Sequence, residues 1–278
     1  MTRERNSPSA VILDMLRSAR SRRRTARSLI SAGALFGFSA NTMRVNLSRL
    51  MARGLIESPE RGLYQLSSQT DAVNDFVERW RLGEARVRSW DAGTWLFAHL
   101  TDEASAGRWA LESLGFRAVR AALYARPDNL APSLQQLRAL AGGIGLPAEV
   151  LLIAGRPEDG ATAASWPALW DPERLNADYA DACRRIEESA RRLPGLPEDE
   201  ARLECFSLGG EMIHRLAKDP LLPAGMVDVS TRERLWRAML DYDAQGKDIW
   251  AGGKHDVLRR MPRPQLDQAR SRAAGDTP

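Results

Sequence analysis

The stretch SANTMRVNLSRLMARGLIE, residues 39–57, constrains the fold more than any other, because both ends of a helix and both of its faces can be read from it. Ser39 offers a side-chain oxygen to the amides left unpaired at a helix start, and Gly54 can take the left-handed conformation that ends one. Between them Met43, Leu47, Leu50 and Met51 fall on one side at helical spacing, so that side is expected to face a core. The opposite ridge carries Asn41, Val45, Ser48 and Ala52, edged by Arg44 and Arg49. It is narrow, built of small side chains and cationic along its edges, a shape suited to a groove between phosphates. Taken alone, such a ridge is equally the solvated face of an ordinary amphipathic helix, so its neighbours must decide.

Those neighbours follow a specific order. Ser7 and Pro8 form a cap and first turn for a helix to about Ala19 whose Val11, Ile12, Met15 and Leu16 make one apolar stripe. A basic link, RSRRRTAR at 20–27, leads into a second helix with Leu29, Ile30 and Leu35 inward. FGFS at 36–39 makes the turn, with Gly37 for the bend and Phe38 as a plug. After Gly54, LIES and LYQLS around the turn PERG read as two short strands. Helix, helix, tight turn, helix, hairpin is the order of a winged helix-turn-helix. In that arrangement the third helix enters the major groove. Asn41, Thr42, Arg44, Val45 and Ser48 are then expected at base edges, and Arg44 has the fork that matches guanine. Ser39, Arg49 and the link arginines Arg22, Arg23 and Arg24 are expected at phosphates, and Arg61 at the hairpin tip reaches an adjacent phosphate or minor groove.

Charge supports the placement. The chain has 278 residues and a net charge of only +4. Residues 1–66 hold twelve arginines against Glu4, Asp14, Glu57 and Glu60, a balance of +8 that leaves −4 for the remainder. Such asymmetry is the footprint expected of a nucleic-acid-binding module joined to something else. With only Lys218, Lys247 and Lys254 as lysines, part of the arginine richness is compositional, so position carries the argument rather than total.

Downstream, residues 69–89 read as a connecting helix with Val73, Phe76, Val77 and Trp80 on one face. Then strand and helix signals alternate: GTWLFAHL at 93–100, a helix at 104–114, RAVRAALYA at 117–125 as one strand, a helix closed by GGIG, and AEVLLIAG at 148–155. This β-α-β-α-β run suggests a small ferredoxin-like α+β domain over 90–160. Residues 161–253 are helical in periodicity, broken at RLPGLPEDE (192–200), and 254–278 reads as a disordered tail. The expectation is therefore a mixed α+β, multidomain chain: winged helix-turn-helix 1–68, connecting helix 69–89, ferredoxin-like domain 90–160, helical C-terminal domain 161–253, tail 254–278. No apolar run approaches the roughly 18–20 residues of a membrane span, and Asp14 interrupts the N-terminal apolar stretch, so no membrane partner and a cytoplasmic location are expected. Cys183 and Cys205 are expected reduced and buried.

Signs of an enzyme are thin. His99, His214 and His255 lie far apart with no metal-ligand spacing, and SLGG at 207–210 lacks the nucleophile-elbow pattern. GGIGLP follows a helix and precedes a strand, the reverse of a phosphate-cradling loop, and is better read as a helix stop. We expect no catalytic residues, no metal and no cofactor. One enzymatic alternative stays open, a metal-dependent nuclease built on the ferredoxin-like domain with Asp102 as its sole near carboxylate. Another is a winged-helix adaptor that binds protein.

Several stretches together resemble the PaaX-like family, repressors of phenylacetic-acid degradation operons. They are TMRVNLSRLMARGLIE, then WDAGTWLFAHL with LESLGFRAVRAALYARPDNL, then LWDPERLNADY (169–179), then IHRLAKDPLLPAGM (213–226), in family order across roughly residues 8–240. The resemblance implies a homodimer on double-stranded operator DNA, released when a small-molecule effector of acyl-CoA type, such as phenylacetyl-CoA, binds. For that effector the sequence offers aromatic surface including Trp170 and Tyr179 near a domain boundary, and His214 with Arg215 on one helix. Tryptophans at such spacings are more often core, and basic residues near a helix C-terminus more often complement its dipole.

Overall fold

The computed structural model describes residues 7–19, 22–101, 105–158 and 163–252. The chain is mixed α and β, with helices and two small antiparallel sheets. At the N-terminus α1 (Pro8–Ser18) begins at Ser7, whose Oγ accepts from the Ala10 amide at 3.2 Å, and buries Val11, Ile12, Met15 and Leu16. A three-residue strand β1 (Arg23–Thr25) precedes α2 (Ala26–Leu35), α3 (Ala40–Ala52) and the hairpin β2 (Ile56–Glu60) and β3 (Leu63–Leu66). The sheet order is β1-β3-β2. The basic link at 20–27 is thus partly a strand: Arg23, Arg24 and Thr25 pair with Gln65, Tyr64 and Leu63. Three polar residues carry no alternation to announce a strand, and only the distant partner makes them one. Leu29, Ala32, Met43, Leu47, Leu50 and Ile56 complete this core. Met51, expected inward, is 41% exposed. It lies about 80° around the helix from Met43, outside the stripe.

Residues 69–89 do not form one helix. After α4 (Asp71–Glu78) a 3₁₀ segment runs from Arg79 to Arg86 and is broken at Gly83, with φ 49° and ψ −129°. A Cβ at Gly83 would lie 2.2 Å from the Trp236 ring, so both conformation and close approach require glycine there. The expected inward face is split as well, since Phe76 and Trp80 are buried and Val73 is 38% exposed.

The middle region is β4 (Trp95–His99), α5 (Ser105–Ser113), β5 (Arg117–Arg120), β6 (Leu123–Pro127), α6 (Leu134–Gly143) and β7 (Leu151–Gly155). RAVRAALYA, expected as one strand, is two: the chain reverses at Ala121–Ala122, Ala122 taking a φ of 59°. A positive φ at alanine is unfavourable and has no sequence signature. The order along the chain is β-α-β-β-α-β and the order in the sheet β5-β6-β4-β7, antiparallel throughout. One face packs on α5 and α6 through Leu96, Ala98, Leu111, Tyr124, Leu137 and Leu152. From the other, Trp95 meets Trp90, Trp166 and Trp170 at centroid distances of 5.6, 4.9 and 6.2 Å.

Three long helices follow: α7 (Pro172–Arg192), α8 (Glu198–Ala217) and α9 (Val229–Trp250). Leu193–Gly195 forms the short 3₁₀ break between the first two, where the proline and glycine predicted it. Cys183 and Cys205 are buried and unpaired with each other. Beside the Trp95 ring cluster, buried polar side chains tie this bundle to the middle region and to the connector. Arg126, 1% exposed, donates to the carbonyls of Leu114, Pro127 and Pro220 and to Asn129 Oδ1. Asn129 donates to the Leu221 carbonyl at 2.7 Å. Arg232 grips Glu84 through two bonds of 3.0 and 2.9 Å, and Arg86 donates to the Leu216 carbonyl at 3.0 Å. Burial pushes the Arg126 guanidinium down to about 9. The expected tail at 254–278, with Lys254 and His255, and Asp102 lie outside the described residues. Among those described, no helix is long and apolar enough to cross a membrane.

Candidate nucleic-acid interface

Helix α3 is held from three directions. Ser39 Oγ accepts from the Thr42 amide at 3.1 Å, the capping bond expected, and sits 2.9 Å from the Thr42 hydroxyl. Gly33 of α2 lets Met43 approach so closely that a Cβ there would lie 2.4 Å from the sulfur. Ser9 of α1 donates to Asn46 Oδ1 at 2.9 Å while Asn46 donates back to the Thr42 carbonyl at 2.9 Å, tethering α3 to α1 through one amide. Gly54, at φ 67°, closes the helix.

With Met43, Leu47 and Leu50 buried, the opposite face is left to solvent. Ser39, Asn41, Arg44, Val45, Ser48 and Arg49 are exposed and Thr42 is half-buried. Ser48 turns its hydroxyl back to the Arg44 carbonyl at 3.2 Å, which keeps its surface profile low. No carboxylate occurs between Ser39 and Gly54. Arg61 is exposed at the tip of the β2–β3 hairpin. Two further arginines of this N-terminal region, Arg27 on α2 and Arg53 at the C-terminal cap of α3, are also exposed. The charge count includes both, but no motif assigns them a role. The link arginines separate: Arg22 is exposed, 4.0 Å from Asp75, and Arg23 is exposed on β1, whereas Arg24 is half-buried and burial lowers its guanidinium below the ordinary value.

Of the four residues considered for an effector, three line one cleft and Trp170 lies apart. Trp170 is 4% exposed, stacks on Trp95 and donates to the Gly115 carbonyl at 2.9 Å. Tyr179 is 2% exposed and donates to Asp219 at 3.1 Å. Both are core side chains with their polar atoms satisfied. Tyr179, His214 and Arg215 share an open cleft between α7 and α8, where Arg215 donates to the Asp178 carbonyl at 2.8 Å, and Trp170 does not line it. No group of three or more His, Cys, Asp or Glu residues able to hold a metal occurs among the described residues.

The helical pair, the Gly37 turn, the exposed α3 ridge and the hairpin all fall within residues 8–66. Residues 9–70 match the model of the PaaX-like protein family. The matched segment runs from α1 through the hairpin to the start of α4, so it contains the whole of the α3 setting and little else. The uncharacterized protein Rv0674 from Mycobacterium tuberculosis has a similar structure, with a TM-score of 0.57 and 24% identity over 90% of this chain and 99% of its own. At that identity the likeness speaks for the fold alone, but it extends the common architecture well beyond the PaaX-like segment. No curated protein matches the chain.

Proposed function

We propose that the chain is a DNA-binding transcriptional regulator, not an enzyme. Residues 1–68 act as a winged helix-turn-helix, 69–89 as the connector, 90–160 as a ferredoxin-like domain and 161–253 as a helical domain. The observation that carries this reading is the α3 ridge: Asn41, Arg44, Val45, Ser48 and Arg49 face solvent together, with no carboxylate among them and a fully buried face behind. In this reading α3 lies in the major groove, Arg44 reads a base edge, Arg49 and Arg61 hold phosphates, and the Ser39 end presents helix amides to the backbone. The PaaX-like match over residues 9–70 supports a role in regulating phenylacetate catabolism; the fuller proposal is a homodimeric repressor released from its operator by an acyl-CoA-type effector. Exposed Leu151 and Ile153 on the free edge strand β7 offer an apolar edge to a second copy.

Fluorescence anisotropy with duplex DNA from upstream of the chain's own operon tests this. Affinity should fall steeply with salt, each neutralised phosphate contributing about −0.9 to the slope of log K against log salt. Replacing both Arg44 and Arg49 by alanine should weaken binding by about 100-fold, at roughly 1–3 kcal/mol per lost contact. Unchanged affinity in that variant, or a flat salt dependence in the parent, would overturn the proposal. Metal-dependent cleavage of the duplex in the same assay would favour a nuclease instead.

A further inference from the structure

A second feature of the molecule lies behind the α3 ridge. A cavity of about 640 Å³ opens between α1 and β1 on one side and α8 and α9 on the other. That volume is within the roughly 300–1,000 Å³ typical of small-molecule sites. Phe206, Ile213, Met239 and Trp250 supply apolar wall.

Its charges are unequal. Among the described residues five lysine or arginine side chains line it against four carboxylates. Arg17 is tied to Asp14 and to Asn74, Arg81 to Glu78 and Asp243, and Lys247 to Asp243. Arg24 has no such partner. It forms no ion pair among the described residues, and its Nε is buried with no acceptor. A partly desolvated guanidinium with no carboxylate beside it is costly, and an anion in the cavity that Arg24 lines offsets that cost through its terminal amino groups rather than through the buried Nε.

The wall offers an independent sign. Gly209 and Gly210 sit side by side in the middle of α8 and both line the cavity. Glycine in a helix interior costs about 0.5–1 kcal/mol against alanine. Packing does not call for it here, because a Cβ at Gly210 would meet nothing within 4 Å and one at Gly209 would make only ordinary contacts at 3.8 Å with Met239 and Tyr242. What the two glycines preserve is open volume.

We infer that this cavity is a binding site for a small ligand with an apolar, ring-sized body and a single anionic group, the anion bonded by Arg24 and the body lying against Phe206, Met239 and Trp250. Such a ligand touches the DNA-binding module through α1 and β1 and the helical bundle through α8 and α9, so its occupancy sets the angle between them. That regulatory consequence rests on the DNA-binding reading above, whereas the site itself does not.

The test uses 8-anilinonaphthalene-1-sulfonate and its uncharged counterpart N-phenyl-1-naphthylamine, titrated into the full chain by fluorescence. The parent should bind the sulfonate saturably with one site per chain and more tightly than the amine. Arg24→Gln should weaken the sulfonate about 10-fold or more with the amine little changed, and Arg24→Lys should restore part of the preference. Gly210→Leu should weaken both probes while raising the melting temperature, since it fills the cavity and removes a helix glycine. Equal sulfonate affinity in Arg24→Gln and parent overturns the anion site. Unchanged binding of both probes in Gly210→Leu overturns the location. Should DNA binding be absent while this pattern holds, the regulator reading fails and the ligand site stands. If DNA binding holds but saturating sulfonate leaves it unaltered, the coupling is wrong.

Discussion

The helical bundle meets its two neighbours differently: rings occur at both seams, but buried guanidinium bonds to the middle region occur at one. Toward the middle region Trp170 stacks on Trp95, and a buried guanidinium adds directional bonds: Arg126 reaches across to the Pro220 carbonyl and Asn129 to the Leu221 carbonyl, while Arg232 holds Glu84 of the connector. Toward the N-terminal module the contact is carried by rings, Phe36 against Phe206 at 5.0 Å and Phe206 near Trp250 at 6.1 Å, alongside a 640 Å³ cavity. Directional bonds to fixed carbonyls hold one geometry, because any shift leaves buried acceptors unpaired. Ring contacts beside empty space tolerate several. The difference predicts that the bundle and middle region open together and that the N-terminal module opens separately.

That contrast can be broken first at Arg126. Arg126→Ala leaves the buried Leu114 and Pro220 carbonyls and Asn129 Oδ1 without this donor, and at about 1–3 kcal/mol for each buried group left unsatisfied the loss should total about 3–5 kcal/mol. At roughly 2–4 °C per kcal/mol for a chain of this size, thermal unfolding should move down by about 10 °C. Protection from hydrogen exchange should fall on both sides of the seam together. A variant as stable as the parent would show that the seam is not held as described.

A smaller effect is expected at the other seam. Phe206 is half-buried, so Phe206→Ala should cost about 1–2 kcal/mol. Its mark should be local: faster amide exchange in α1 and α2 with β4–β7 unchanged. Exchange rising equally everywhere would mean that the two seams are not independent.

The smallest effect concerns pH. Burial raises the Asp243 carboxyl, but hydrogen bonds from Arg81 and Lys247 outweigh it and hold the group below its ordinary value. A carboxyl lowered on folding stabilises the chain above the unfolded value of about 3.9, and that contribution is lost as the pH falls through the lower folded value. The stability gap between parent and Asp243→Asn, from urea midpoints, should therefore be widest near neutrality and close in acid. A gap that widened in acid would reverse the assignment.

Local chemistry by itself determined α3. Ser39 and Gly54 mark its ends, the Met43–Leu47–Leu50 stripe sets its buried face, and the arginine excess of the first 66 residues pointed to a polyanion; caps and periodicity act within a few residues, so one chain suffices to read them. The Pro/Gly break after Arg192 was legible for the same reason. Only tertiary structure decided that Arg23–Thr25 is a strand, that Gly83 interrupts the connector against Trp236, that Trp170 and Tyr179 are core, and that Arg24 is half-buried and lines a cavity. Each depends on a partner tens or hundreds of residues away, such as Tyr64 for Arg24 and Trp236 for Gly83, and no local pattern encodes which distant surface will arrive.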